Sequence, residues 1–220
     1  MMTAFIDRWG AMVVDATIAT FQMVTISLIF SILIGLPLGV LLVVTRNQVG
    51  ASRLSYRALN VVINTIRSIP FIILLFALLP FTRFLVGTSM GVKGVIVPLV
   101  IFTSPFLARL MESALLEVDR GVIEAYQAMG IKPIAIIWHV MIREAKPSII
   151  RGITIAVIAL IGATAMAGLV GAGGLGDVAY RFGHVRYQPE VMYVSIVILV
   201  IIIQLIQTLG NTLSEKAKKD

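Results

Sequence analysis

Between Asp15 and Arg46 the chain carries no charged side chain. A bilayer-spanning helix needs about 20 mostly apolar residues, so residues 16–45 exceed one straight span, and their start is expected outside the hydrocarbon. A second apolar run covers 59–81 and is interrupted only by Arg67. A third, the weakest, runs over 94–108 and continues beyond Arg109, while a fourth and a fifth, 152–176 and 191–214, are free of charge. The pattern predicts an all-α membrane protein with about five spans. The first run is too long for a signal-peptide core and lacks a basic leader and a small-residue cleavage site, so it is expected to remain in the mature chain. Proline falls within the first three runs at Pro37, Pro70, Pro80, Pro98 and Pro105. Neighbouring helices can satisfy the carbonyls that proline frees, in static bundles as in moving ones. Gly35 and Gly39 allow close helix packing, and with Pro37 between them the packing is expected inside the subunit.

The most informative stretch is 112–146. It is long for a connector, since most run about 4–6 residues, and it has its own helical pattern. Asp119 is an N-cap candidate, Val122, Ile123, Tyr126 and Met129 follow at helical spacing, and Gly130 is a stop because glycine accepts the left-handed conformation. Pro133 suits the first turn of a second helix, along which Ile134, Ile137, Trp138, Met141 and Ile142 recur, and Pro147 marks the next start. Two short amphipathic helices with a tight turn are therefore expected. Their apolar faces must be covered by the bundle, the membrane surface or a partner, and periodicity alone does not choose among these.

Charge adds orientation. Lys and Arg collect in cytoplasmic segments. Arg46, Arg53 and Arg57 follow the first run; Arg109, Arg120, Lys132, Arg143, Lys146 and Arg151 lie between the third and fourth; Lys216, Lys218 and Lys219 end the chain. The opposite side holds Arg8, Arg83, Lys93, Arg181 and Arg186. The expected N-terminus is outside and the C-terminus cytoplasmic, as an odd number of spans requires. An arginine at mid-membrane is costly, so Arg67 is expected near the cytoplasmic end of the second span or facing the protein interior.

Composition removes other classes. Apolar residues make up 59% of the 220, and charged residues 13%, against about 25% in soluble domains. The net charge of +7 would point to nucleic acid in a soluble protein; here it reports topology, and no nucleic-acid partner is expected. Cysteine is absent, which excludes disulfides and thiolate metal sites. No catalytic constellation, metal cluster or Walker sequence is present, so the chain is not read as an enzyme and cannot itself bind ATP in the P-loop manner. The glycine run Gly171-x-Gly173-x-x-Gly176 matches the dinucleotide fingerprint formally, but it follows a membrane span rather than a strand.

Residue identities sharpen the loop. Glu124-Ala125-Tyr126, three residues, Gly130, nine residues, Val140, one residue and Ile142-Arg143 resemble the cytoplasmic-loop signature of ABC importer permeases, Glu-Ala-Ala, three residues, Gly, nine residues, Ile, one residue, Leu-Pro. Tyr126, Val140 and Arg143 depart from it, and Arg143 in place of proline bears on how the second helix ends. Segments 67–75, 80–83, 86–89, 114–118 and 124–130 and the glycine run 170–176 look like the permeases of methionine importers, including Arg67, Ser68 and Pro70. That resemblance implies a type I ABC importer permease fold, with one transmembrane permease domain over 1–220 and a cytoplasmic coupling loop at about 112–146. It implies the bacterial cytoplasmic membrane, in contact with lipid; five spans are few for enclosing a pathway alone, so a homodimer with ten is the expected assembly. The resemblance also implies two separate ATP-binding subunits that hold ATP and Mg, and an extracytoplasmic substrate-binding lipoprotein; this chain itself is expected to bind no cofactor.

In that frame Glu124, Ala125, Tyr126, Met129 and Gly130 form the ATPase-docking helix. Glu124 is read as an acid near the helix N-terminus that favours the helix dipole. Small residues at Gly162 and Ala163 beside Met166 make a candidate gate, with ordinary helix packing as the competing reading. Gly171, Gly173, Gly174 and Gly176 make a candidate outer turn for the binding protein, with a flexible loop as the alternative. Alternatives for the whole chain are a permease of the same architecture for another amino acid or an osmolyte, and an ion-coupled secondary carrier. Such a carrier would show internal repeats and interior acids, which the first, fourth and fifth spans lack.

Overall fold

The computed structural model describes residues 2–46 and 51–218, with side chains from Ile6 to Arg46 and from Leu54 to Lys218. Lys219 and the side chain of Arg53, both counted above among the basic residues, lie outside the described residues. Helix accounts for all regular structure there: α1 Met2–Arg46, α2 Ala51–Ser68, α3 Phe71–Val86, α4 Gly91–Leu116, α5 Arg120–Ala128, α6 Pro133–Ile136, a π-turn Ile137–Met141, α7 Ile142–Glu144 and α8 Lys146–Ala167. A 3-10 turn Gly168–Val170, α9 Gly174–Val178, a second π-turn Ala179–Val185 and α10 Pro189–Ala217 complete the order.

Four single helices among the described residues are long and apolar enough to cross a membrane: Ile6–Arg46, Gly91–Leu116, Lys146–Val170 and Pro189–Ala217. The fifth candidate is a bent pair, Leu54–Ser68 with Phe71–Val86. The second apolar run is thus not one helix, which corrects the expected continuous span. Proline lacks an N–H and disfavours the helical region for the residue before it. Accordingly α2 ends at Ser68, and Pro70 takes an extended conformation, with φ −55° and ψ 136°, as the N-cap of α3. The Pro70 carbonyl then accepts from Ile73 N–H at 3.0 Å and Leu74 N–H at 3.1 Å. Arg67 therefore lies in the last turn of α2 instead of opening a span; its guanidinium lies 5.9 Å from the centre of the Phe106 ring. The 45 residues of α1 extend about 68 Å at 1.5 Å per residue, well beyond a hydrocarbon core of about 30 Å.

Contacts divide the chain into two compact units. The first comprises Met1–Phe30, Ile69–Phe102 and Val157–Ile206, and the second Ser31–Ser68, Thr103–Ala156 and Gln207–Asp220. The first unit is built on Met23, Leu75, Leu99 and Leu160, all fully buried, and on a second cluster of Val13, Ala16, Leu175, Val178 and Val191. The second unit packs Val40, Met111, Leu115, Ile136 and Met141 in one cluster and Leu42, Ile63 and Ala108 in another. Within it α1 and α4 touch backbone to backbone. A Cβ on Gly39 would lie 2.5 Å from Met111 Cβ, and one on Gly35 would lie 2.8 Å from the Ser104 carbonyl oxygen. The Gly35-x-x-x-Gly39 pair packs inside the subunit, as expected. Ile201, Leu205, Leu209 and Leu213 stand exposed along α10, an apolar face suited to lipid or to another protein surface.

Candidate functional site

Helix α5, which carries the candidate docking residues, is built from its caps inward. Asp119 Oδ1 accepts the Gly121 N–H at 2.7 Å, which satisfies one orphan donor of α5. At the far end Gly130 has φ +75°, and its N–H donates to the Gln127 carbonyl at 2.9 Å. The left-handed residue ends the helix and turns the chain toward Pro133, which occupies the first turn of α6. Val122, Ile123 and Tyr126 face inward and are half-buried, whereas Glu124, Ala125, Gln127, Ala128 and Met129 are exposed. Met129 departs from the face expected for it: it is the C-cap residue and is 63% exposed, because the helix ends before its side chain can join the inward stripe.

Glu124 also needs correction. It is the fifth residue of α5, and the first turn holds no acid. The dipole effect falls off within one turn, so Asp119 is the acid that meets the helix N-terminus. Glu124 instead lines, with Arg120, Arg46, Val43, Leu115 and Ile137, a cleft of about 720 Å³.

The second amphipathic helix is wound as α6, the π-turn and α7. Ile136, Ile137 and Met141 are buried, while Ile134 and Trp138 are exposed. The widened turn at Ile137–Met141 shifts the inward face by one position, which a regular 3.6-residue period does not anticipate. Arg143 lies inside α7 and is exposed. The loop is also shorter than expected at both ends: Glu112 belongs to α4 and Lys146 to α8.

Glu112 is the residue that sequence reasoning missed. Its side chain is 4% exposed and pairs with Arg109 one turn earlier on α4, and with Arg46 at 3.7 Å. Tyr56 Oη donates to Glu112 Oε1 at 3.4 Å. Arg109 also donates to Asn60 Oδ1 and, at 3.1 Å, to Asn64 Oδ1. One carboxylate and one guanidinium thereby join the end of α1, the polar side of α2 and the last turns of α4. The sequence held a signal: Asn60 and Asn64 at i,i+4, and Arg109 and Glu112 at i,i+3, each pair on one helix face.

The small residues after Leu160 serve two surfaces. Gly168 meets Asp177 and Gly176 meets Ala165: a Cβ on Gly176 would lie 2.3 Å from Ala165 Cα, and one on Gly168 would lie 2.5 Å from the Asp177 nitrogen. The turn through Gly171 (φ +74°), Gly173 (φ +79°) and Gly174 (φ +87°) folds α9 back against α8. Leu175 N–H donates to Thr20 Oγ1 at 2.9 Å, and Asp177, itself buried, pairs with Arg181. Among the gate candidates, a Cβ on Gly162 would meet nothing within 4 Å and Met166 is 50% exposed, whereas Ala163 is buried in the core. The structure thus separates Ala163 from the open face that Gly162 and Met166 share, one turn apart on α8.

Residues 31–217 match the family model described as binding-protein-dependent transport system inner membrane component. The chain is 45% identical over 213 residues to a protein of Vibrio cholerae named as a probable D-methionine transport system permease, with 94% of this chain and 95% of that protein covered. It is 50% identical over 153 residues to the methionine import system permease MetP of Bacillus subtilis, covering 70% of this chain and 69% of that protein. A chain from a solved inward-facing structure of the MetNI methionine ABC transporter superposes with a TM-score of 0.90 at 45% identity, covering 94% of this chain and 96% of that one.

Proposed function

Because the chain belongs to the family of binding-protein-dependent transport system inner membrane components, we propose that it carries methionine, in the D- or L-form, across the bacterial cytoplasmic membrane. The protein has the type I ABC importer permease fold and is a multi-pass transport subunit without an ATPase site of its own. The observation that supports methionine best is the likeness to methionine permeases over nearly the whole chain.

In this reading two copies form the pathway. Two ATP-binding subunits, holding ATP and Mg, seat on α5, and a substrate-binding lipoprotein delivers substrate from outside, where the N-terminus lies. The exposed side of α5, with Glu124, Ala125, Gln127 and Met129, is the docking surface. In this reading Glu124, exposed on that side, pairs with a basic group on the ATPase. Closure of the ATPases on ATP moves α5, and the bundle alternates between inward and outward access. Gly171, Gly173 and Gly174 shape the outer turn that receives the binding protein.

The test is co-purification through a tag on this chain, followed by uptake of labelled D- and L-methionine into proteoliposomes. Expected are a bound ATPase and ATP-dependent uptake that unlabelled methionine competes away. Absence of an ATPase would overturn the reading, and competition only by another amino acid would overturn the substrate.

Met166, exposed on α8 one turn from the open Gly162, is the gate side chain in this proposal. Met166→Gly is expected to raise passive leak of methionine through substrate-loaded proteoliposomes in the absence of ATP. A leak equal to that of the native chain would remove Met166 from the gate.

A further inference from the structure

The polar cluster around Glu112 does chemistry that neither packing nor the docking helix requires. Burying a carboxylate is costly unless it is paired and hydrogen-bonded, and replacing a whole buried ion pair by apolar residues of similar volume is often neutral or stabilising. Here the carboxylate is held nonetheless, 4% exposed, by Arg109 on its own helix, by Arg46 at 3.7 Å on the last residue of α1 and, at 3.4 Å, by Tyr56 Oη of α2. Arg109 extends the cluster to Asn60 and Asn64 of α2.

Its position along the chain gives it a task. Glu112 lies one turn before Leu116, where α4 ends, and only residues 117–119 separate α4 from α5. The close approach of Gly39 to the Met111 side chain and the Ala108 carbonyl sets how near α1 comes to α4. Contacts of that kind resist approach but yield more readily to sliding. The charge-assisted hydrogen bond from Arg109 is directional and fixes the Glu112 carboxylate on α4, and the ion pair to Arg46 at 3.7 Å ties the end of α1 to that fixed charge.

We infer that Glu112 is a positioning residue for energy coupling: its ion pairs with Arg109 and Arg46 make α1 and α2 follow α4 when α5 is displaced. The inference rests on the importer reading above. Without the charge, α4 moves with α5 while α1 and α2 lag, so ATP is hydrolysed without a matching movement of the pathway. Arg109 and Tyr56 share the node; Arg46, with a side chain 46% exposed, is the link that can be cut with least disturbance to the core.

The experiment uses the full assembly in proteoliposomes, this chain with its ATP-binding subunits and binding protein, and reads ATP hydrolysed per methionine imported. Glu112→Gln keeps the shape and removes the charge. Expected is a hydrolysis rate near the native one with the ratio raised about tenfold, within the range by which residues remote from both ligands alter coupling. Arg46→Gln is expected to raise the ratio less, and the double variant to be no worse than Glu112→Gln alone, since both substitutions cut one connection. Should Glu112→Gln fail to assemble, Arg46→Gln carries the same test.

An unchanged ratio, or loss of hydrolysis and uptake in equal proportion, makes Glu112 merely structural and overturns the inference. Additive effects in the double variant overturn the link through Arg46. A native assembly that imports nothing defeats the importer reading; a native assembly that imports, with an unaltered Glu112→Gln ratio, defeats this inference alone.

Discussion

Gly176→Ala is expected to destabilise the folded chain by about 3 kcal/mol, the upper part of the range for overpacking. The added methyl would lie 2.3 Å from Ala165 Cα and 2.5 Å from the Ala165 carbonyl oxygen. Both are backbone atoms of α8, so no rotamer change relieves the collision. The neighbouring contact cannot give way either, because Gly168 is already against the Asp177 backbone. Melting of the purified protein in detergent, followed by tryptophan fluorescence, should fall by about 10 °C. Gly162→Ala is the control. It lies on the same helix with open space around it, and a helical Gly→Ala exchange there is neutral or gains about 0.5–1 kcal/mol. Equal melting temperatures for the two variants would mean that α9 does not pack on α8 as described.

Gly130→Pro should abolish uptake while the protein still inserts and accumulates. Proline fixes φ near −65°, whereas Gly130 sits at +75° and gives its N–H to the Gln127 carbonyl. The conformation that ends α5 is then disfavoured by about 3 kcal/mol, a factor of roughly a hundred. Because α5 has no fully buried residue, the damage stays local to the surface proposed to meet the ATPase. Gly130→Asn, which tolerates the left-handed region, should retain most activity. Glu124→Lys leaves the helix intact and tests the charge on the same surface; it too should uncouple hydrolysis from uptake. Normal substrate-stimulated hydrolysis and normal uptake in both Gly130→Pro and Glu124→Lys would detach α5 from the docking role.

The helical spans were legible because hydrophobic length is a one-dimensional property: the uncharged runs 16–45 and 191–214 lie inside α1 and α10, and 152–176 covers most of α8, the turn after it and the start of α9. The caps of α5 were equally legible, since Asp119 and Gly130 act on their immediate neighbours. Reading failed where the outcome depends on what comes from elsewhere in the chain. Pro70 was visible as a proline, but a kinked span and a broken one have the same composition, and the polar partners of α2 decide the matter: Asn60 and Asn64 turn toward Arg109 instead of lipid. The small residues of α8 suggested close approach without naming the neighbour; the turn at Gly171 to Gly174 brings that neighbour from the same chain. Glu112 read as the start of the cytoplasmic loop because its partners come from α1 and α2 as well as from its own helix. Met129 and Trp138 fell out of phase because a helix that stops early, or widens by one residue, breaks the period on which the face was drawn.

The π-turn at Ile137–Met141 has a bearing on how this connection tolerates insertion and deletion. A π-turn is a helix that has absorbed one surplus residue without breaking. Each residue of a regular helix turns the next by about 100°, so the surplus is stored as a local widening, and α6 and α7 keep separate phases on either side of it. Helix α5 before it and the membrane helix α8 after it are therefore not locked to a common helical register. A one-residue deletion confined to Ile137–Met141 would rewind the turn to regular helix and be taken up there, leaving the caps of α5 and the start of α8 where they are.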